Sequence, residues 1–140
     1  MIDYSKLQSA LKHLELQLGN YQAAPNRQEL TELDREGIAE SVIQRFETAY
    51  DTSWKTLKRH LTEQLGLVDI QNSPKPILKH ANQNDLLGGK IDAWLQYADA
   101  RTATAHDYSH EKAKETLAIV PSFFADAIVL FQVMTGTLWK

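Results

Sequence analysis

Apolar residues recur along this chain at spacings of three and four, the signature of helices that each bury one face. Leu7, Leu11, Leu14 and Leu18 form the first stripe. It predicts a helix starting at Ser5, with Gln8 as its capping-box partner and Gly19-Asn20 as its stop. After the connection Ala23-Ala24-Pro25-Asn26, a second and longer pattern begins between Thr31 and Glu36. It runs through Ile38, Val42, Phe46, Ala49, Tyr50, Trp54, Leu57, Leu61 and Leu65, with Ile43 widening the face and Gly66 closing it. Gly37 weakens the first turns. Aromatics at this spacing read as core.

Ser73-Pro74 marks a third start, serine as N-cap and proline at the first helical position, where its missing amide is harmless. Pro76 still falls within the first turn, and Ile77, Leu78 and Ala81 point inward before Gly88-Gly89. A fourth helix is expected from about Lys90 to Ala105, burying Ile91, Trp94, Leu95, Ala98 and Ala105. Asp107-Tyr108-Ser109 breaks the pattern, and Ser109 caps a fifth helix carrying Ala113, Leu117 and Val120. Pro121 should kink or restart it. Phe123, Phe124, Ala127, Ile128, Phe131, Met134 and Leu138 then continue to the end. That last face is broader than one neighbouring helix needs, which points to burial on two sides, a second copy of the chain included. With no repeat, linker or low-complexity segment, the expectation is one all-α domain over residues 1–140. It would be an antiparallel up-and-down bundle of about five helices.

Composition narrows the function. The chain has 140 residues, 43% of them apolar and 24% charged. Both shares are ordinary for a globular protein with a real core. A net charge of −3 argues against a broad basic surface, so any phosphate contact should be local. The absence of cysteine excludes disulfides, thiolate catalysis and a thiolate zinc site. No continuous apolar run approaches the ~20 residues of a membrane span, and the N-terminus lacks a basic-then-apolar signal pattern. A cytoplasmic protein without membrane association is expected.

The chemistry concentrates in Arg101-Thr102-Ala103-Thr104-Ala105-His106-Asp107-Tyr108. An arginine fork suits phosphate, a histidine exchanges protons near neutrality, and a phenol can be modified. Five residues of α-helix turn by roughly 500°, which would leave Arg101 and His106 about 140° apart. For both to reach one phosphate, the helix must end between them or a symmetry-related chain must complete the site. Weak helix formers at Thr102 and Thr104 favour the first option. A shielded Arg101 would need an anion, and Asp99 or a substrate phosphate is the candidate. Lys55, Lys58, Arg59 and His60 form a basic patch on the second helix.

Arg-x-x-x-x-His-x-Tyr at a helix end resembles the signature of the HEPN superfamily. It is most similar to the branch of nucleotidyltransferase substrate-binding proteins, the HepT toxins of MNT–HEPN toxin–antitoxin pairs. Residues 42–58 resemble that branch's long central helix, and Ser73-Pro74-Lys75-Pro76-Ile77-Leu78 resembles its next helix start; Trp94-Leu95 leads into the signature. The resemblance implies a HEPN-like bundle, dimerising through helices, that acts as a metal-independent endoribonuclease on RNA, transfer RNA among the candidates, without a cofactor. Arg101 and His106 would be catalytic, with Asp99 and Thr102 in support and Lys55, Lys58 and Arg59 contacting the RNA backbone. Tyr108 would be modified with AMP by a cognate minimal nucleotidyltransferase acting as antitoxin. Thr102 stands where the family often has Asn or Asp. The alternatives are a non-catalytic substrate-binding subunit of such a nucleotidyltransferase, and a structural helical dimer whose signature is a packed helix end.

Overall fold

In the computed structural model, which describes residues 2–106 and 109–140 and only the backbone of His106, the chain is all-helical. The described residues form α1 (Ser5–Ala23), α2 (Glu32–Glu63), α3 (Pro74–Gln83), α4 (Ile91–His106) and α5 (His110–Thr135), with a 3-10 turn at Ala24–Asn26. The helices pack as a bundle in which α2 touches each of the other four. The core draws side chains from all five. Phe123 of α5 lies at its centre, fully buried, with edge-to-face rings of Phe46 at 5.0 Å, Tyr97 at 5.4 Å and Trp94 at 5.7 Å.

The helix ends show where local signals were overridden. Helix α1 passes through Gly19-Asn20 to Ala23, and Pro25 turns the chain out of it. Leu18 and Tyr21 still pack against the core there. A solvent-facing glycine costs a helix only about 1 kcal/mol, too little to end it. The N-cap of α1 is Tyr4, and Ser5 gives no capping box; the Ser5 amide instead donates to Asp3 Oδ1. The reciprocal box belongs to α2: Asp34 N–H donates to Thr31 Oγ1, and Thr31 N–H to Asp34 Oδ2. Helix α2 closes before Leu65, which is exposed.

Helix α5 neither stops nor restarts at Pro121. The ring lies on the exposed side, so water can satisfy the carbonyl one turn earlier. The helix ends at Thr135, where Gly136 takes the left-handed conformation with φ 70°. The Gly136 N–H donates to Gln132 O at 2.8 Å. Leu138 therefore lies beyond the helix, 75% exposed. Trp139 folds back instead, edge-on to Phe131, with its indole N–H donating to Glu15 Oε2 on α1. By length and composition α5 could cross a bilayer, although the sequence has no continuous apolar run of that length. In this fold it is a core helix whose outer side still shows Val129 and Val133. Among the described side chains of α4 the last buried one is Thr104, whereas Ala105, expected to continue the buried face, is exposed.

Candidate functional site

Helix α4 carries Arg101 to the wall it shares with α2. There the guanidinium meets two carboxylates one turn apart, because positions 47 and 51 share a helix face. Its Nε and Nη2 donate to Asp51 Oδ1 and Oδ2, both at 3.2 Å. This is a fork-on-fork pair, the geometry in which arginine holds a carboxylate best. Nη1 donates to Glu47 Oε2 at 3.0 Å. Thr104 Oγ1, buried, lies 2.8 Å from the same Glu47 oxygen and 2.8 Å from the Arg101 carbonyl. The side chains of Arg101 and Glu47 are 28% and 17% exposed, so this is a half-shielded cluster rather than a surface pair. Two anions hold one cation in a fixed pose.

Asp99, the anion expected for Arg101, does not pair with it. It accepts from Lys75 Nζ at 2.6 Å. The reason is helical geometry: residues two apart point to different sides. Thr102 donates back to Ala98 O at 3.1 Å and lies at the surface. Helix α4 does not end between Arg101 and His106, as the threonines suggested it would; it is continuous through both. One intact helix therefore separates them by about 140°. The His106 side chain and Tyr108 lie outside the described residues.

Arg101 lines an open cleft of about 480 Å³ between α2, α4 and the start of α3. Tyr50, Asp51, Trp54 and Lys55 form one wall, Ala98, Arg101, Thr102 and Ala105 another, and Ser73-Pro74-Lys75 the rim. The basic patch divides here. Lys55 lines the cleft, 5.8 Å from the Trp54 ring centroid. Arg59 is instead paired with Glu63. Lys58 is half-buried and absent from the lining. His60 is buried; desolvation holds its pKa below the ordinary 6.5, and its Nδ1 lies 2.9 Å from the Tyr4 hydroxyl. Among the described residues no cluster of three or more His, Asp or Glu side chains could hold a metal ion.

The sequence reading missed Glu47, Asp51, Thr104 and Lys75. The first two carry a signal in retrospect: acids four apart, each beside a core aromatic (Phe46, Tyr50), sit where a helix face turns inward.

The family described as nucleotidyltransferase substrate binding protein like matches residues 2–135. The chain belongs to this family. It is also similar to a protein of Haemophilus influenzae (strain Rd) named probable ribonuclease HepT, 32% identical over 96 residues. That match covers 64% of this chain and 62% of the relative, less than two thirds of the relative's length. A crystal structure of a protein from Thermus thermophilus superposes with a TM-score of 0.68 at 23% identity, covering 87% of this chain and 98% of the other. This likeness shows that the two chains share a fold.

Proposed function

We propose that the protein is an endoribonuclease toxin that works without a metal ion and is silenced by a partner nucleotidyltransferase. The observation that carries this reading is the clamped guanidinium: Arg101, held by Glu47 and Asp51 at the edge of an open cleft, five residues before His106. Family membership and the likeness to a protein named probable ribonuclease HepT support it.

Because α4 is unbroken between Arg101 and His106, the second option from the sequence takes over: two copies of the chain complete each other's site. In such a homodimer the imidazole of one copy meets the guanidinium of its partner across the interface. One His106 accepts the proton of a ribose 2′-hydroxyl as O2′ attacks the adjacent phosphorus. The P–O5′ bond breaks, O5′ takes a proton from a water molecule that the newly formed imidazolium reprotonates, and a cyclic phosphate remains. Arg101 stabilises the charge that grows on the non-bridging oxygens. Transfer to Tyr108 of the AMP unit of ATP, with pyrophosphate leaving, would add an anion two residues from His106 and repel the substrate.

Total RNA incubated with purified protein in EDTA tests the reading: wild type cleaves it and His106→Ala does not. Equal cleavage by the two would remove the histidine, and cleavage abolished by EDTA would remove the metal-free mechanism. One observation favours the alternative of a non-catalytic subunit. Arg101 is already matched by two carboxylates, so it has less charge to lend a transition state and suits holding a nucleotide phosphate weakly.

A further inference from the structure

The cleft beside Arg101 holds more than phosphate chemistry requires. Its lining carries Lys55, Lys75 and Arg101; Glu47 and Asp51 match Arg101 and Asp99 matches Lys75, which leaves Lys55 as the lining cation without an ion pair among the described residues. Trp54, half-buried on its wall, offers an aromatic surface. The volume of about 480 Å³ lies within the range of small-ligand sites.

Two side chains around it are left over from folding. Tyr50 is 1% exposed, yet its hydroxyl has no hydrogen-bond partner; among the described residues it is the one buried side-chain polar atom in that condition. Such an atom is costly to bury, and native structures keep few of them. Burial, reinforced by the carboxylates of Asp51 and Asp99, pushes the Tyr50 phenol up from its ordinary pKa, so it stays protonated and can donate. Ser73 is the second. As N-cap of α3 it makes no side-chain cap bond, and Pro76 at the third helical position has no N–H to offer. Ser73 lines the rim of the cleft, two residues before Lys75.

We propose that this cleft is a nucleotide subsite that takes one unpaired nucleotide of a single-stranded RNA. The base lies against Trp54, the phosphate meets Lys55, Lys75 and the Ser73 hydroxyl, and an acceptor on the base or ribose reaches the Tyr50 hydroxyl. The subsite rests on the nuclease reading for its purpose, since a nucleotide seated there presents the neighbouring phosphodiester to Arg101. It uses residues that the nuclease step does not.

A fluorescein-labelled octaribonucleotide with 2′-O-methyl riboses, which cannot be cut, reads the subsite by anisotropy on the full chain. Tyr50→Phe should weaken binding about fivefold, the loss of one hydrogen bond, while thermal stability stays equal or rises. Trp54→Ala should cost about tenfold or more, with Trp54→Phe recovering most of it. Lys55→Glu combined with Lys75→Glu, both exposed positions, should cost more still and flatten the salt dependence. Millimolar AMP as competitor separates the two sources of this chemistry. Displacement would mean that free mononucleotides enter as well, and no displacement assigns the cleft to the strand. Wild-type affinity in all these variants, or no binding of either probe, would overturn the proposal. Cleavage of natural RNA with KM unchanged in the double lysine variant would remove the subsite and leave the nuclease. Variant-sensitive binding without any cleavage would remove the nuclease and leave the subsite.

Discussion

If Arg101 is clamped rather than merely neighboured, Glu47 and Arg101 must be energetically coupled. Glu47→Gln keeps the shape and the oxygen that Thr104 and Arg101 approach, and removes only the charge. The pair spans 3.0 Å between side chains 17% and 28% exposed. At an effective dielectric of about 20, charges ~4 Å apart attract by about 4 kcal/mol before desolvation. Exposed pairs retain about 1 kcal/mol or less of this, and breaking a fully buried pair costs about 3–5 kcal/mol. This half-shielded pair falls between, at about 2 kcal/mol. For a chain of this size that lowers Tm by about 7 °C. A double-mutant cycle with Arg101→Ala, read by urea denaturation and circular dichroism, should give a coupling of about 1–2 kcal/mol. Because Arg101→Ala alone leaves Glu47 and Asp51 facing each other, it should destabilise more than Glu47→Gln. Coupling below about 0.5 kcal/mol would mean that the two side chains act independently, and the clamp would be refuted. The same Glu47→Gln protein should cut RNA with a lower kcat and a nearly unchanged KM, as expected of a positioning residue.

Arg101→Lys keeps the cation but cannot reproduce the fork on Asp51, so it should lose most RNA cleavage; full activity in a gel assay would make fork geometry irrelevant. Tyr108→Phe should remain toxic when co-expressed with the partner nucleotidyltransferase; neutralisation as efficient as in wild type would exclude Tyr108 as the control point. His60 is held neutral by burial, with its folded pKa below the unfolded 6.5. Its contribution is therefore full above about pH 6.5, declines as pH falls because the unfolded chain takes up the proton first, and levels off below the folded pKa. Tm of the wild type should thus drop between about pH 7 and 5, and His60→Gln should flatten that slope; parallel profiles would assign the drop to other groups.

Where periodicity decides structure, the chain was readable. Leu7, Leu11, Leu14 and Leu18 are all buried, Ser73-Pro74 opens α3, and Ser109 caps α5 by accepting from Lys112 N–H. Breaker residues misled because their cost is small against tertiary packing. Gly19 and Pro121 both lie on exposed sides, where a helix can continue through them. The motif itself could be seen, but its partners could not. Glu47 and Asp51 lie 54 and 50 positions away from Arg101 and meet it only through the packing of α2 on α4. Spacing alone could have dismissed Asp99, since residues two apart on a helix do not face each other. The unused hydroxyl of Tyr50 has no signature in sequence, because a core tyrosine with a partner and one without read alike.

The central claim is that two chains build each cleavage site, one lending the guanidinium and the other the imidazole. Inactive Arg101→Ala and inactive His106→Ala proteins, unfolded together in equal amounts and refolded, test it most directly. Half of the dimers would be mixed, and each mixed dimer would carry one intact site, so RNA cleavage should return to about a quarter of the wild-type rate. Cleavage no greater than that of either parent, with mixed dimers demonstrated by mass, would contradict the claim.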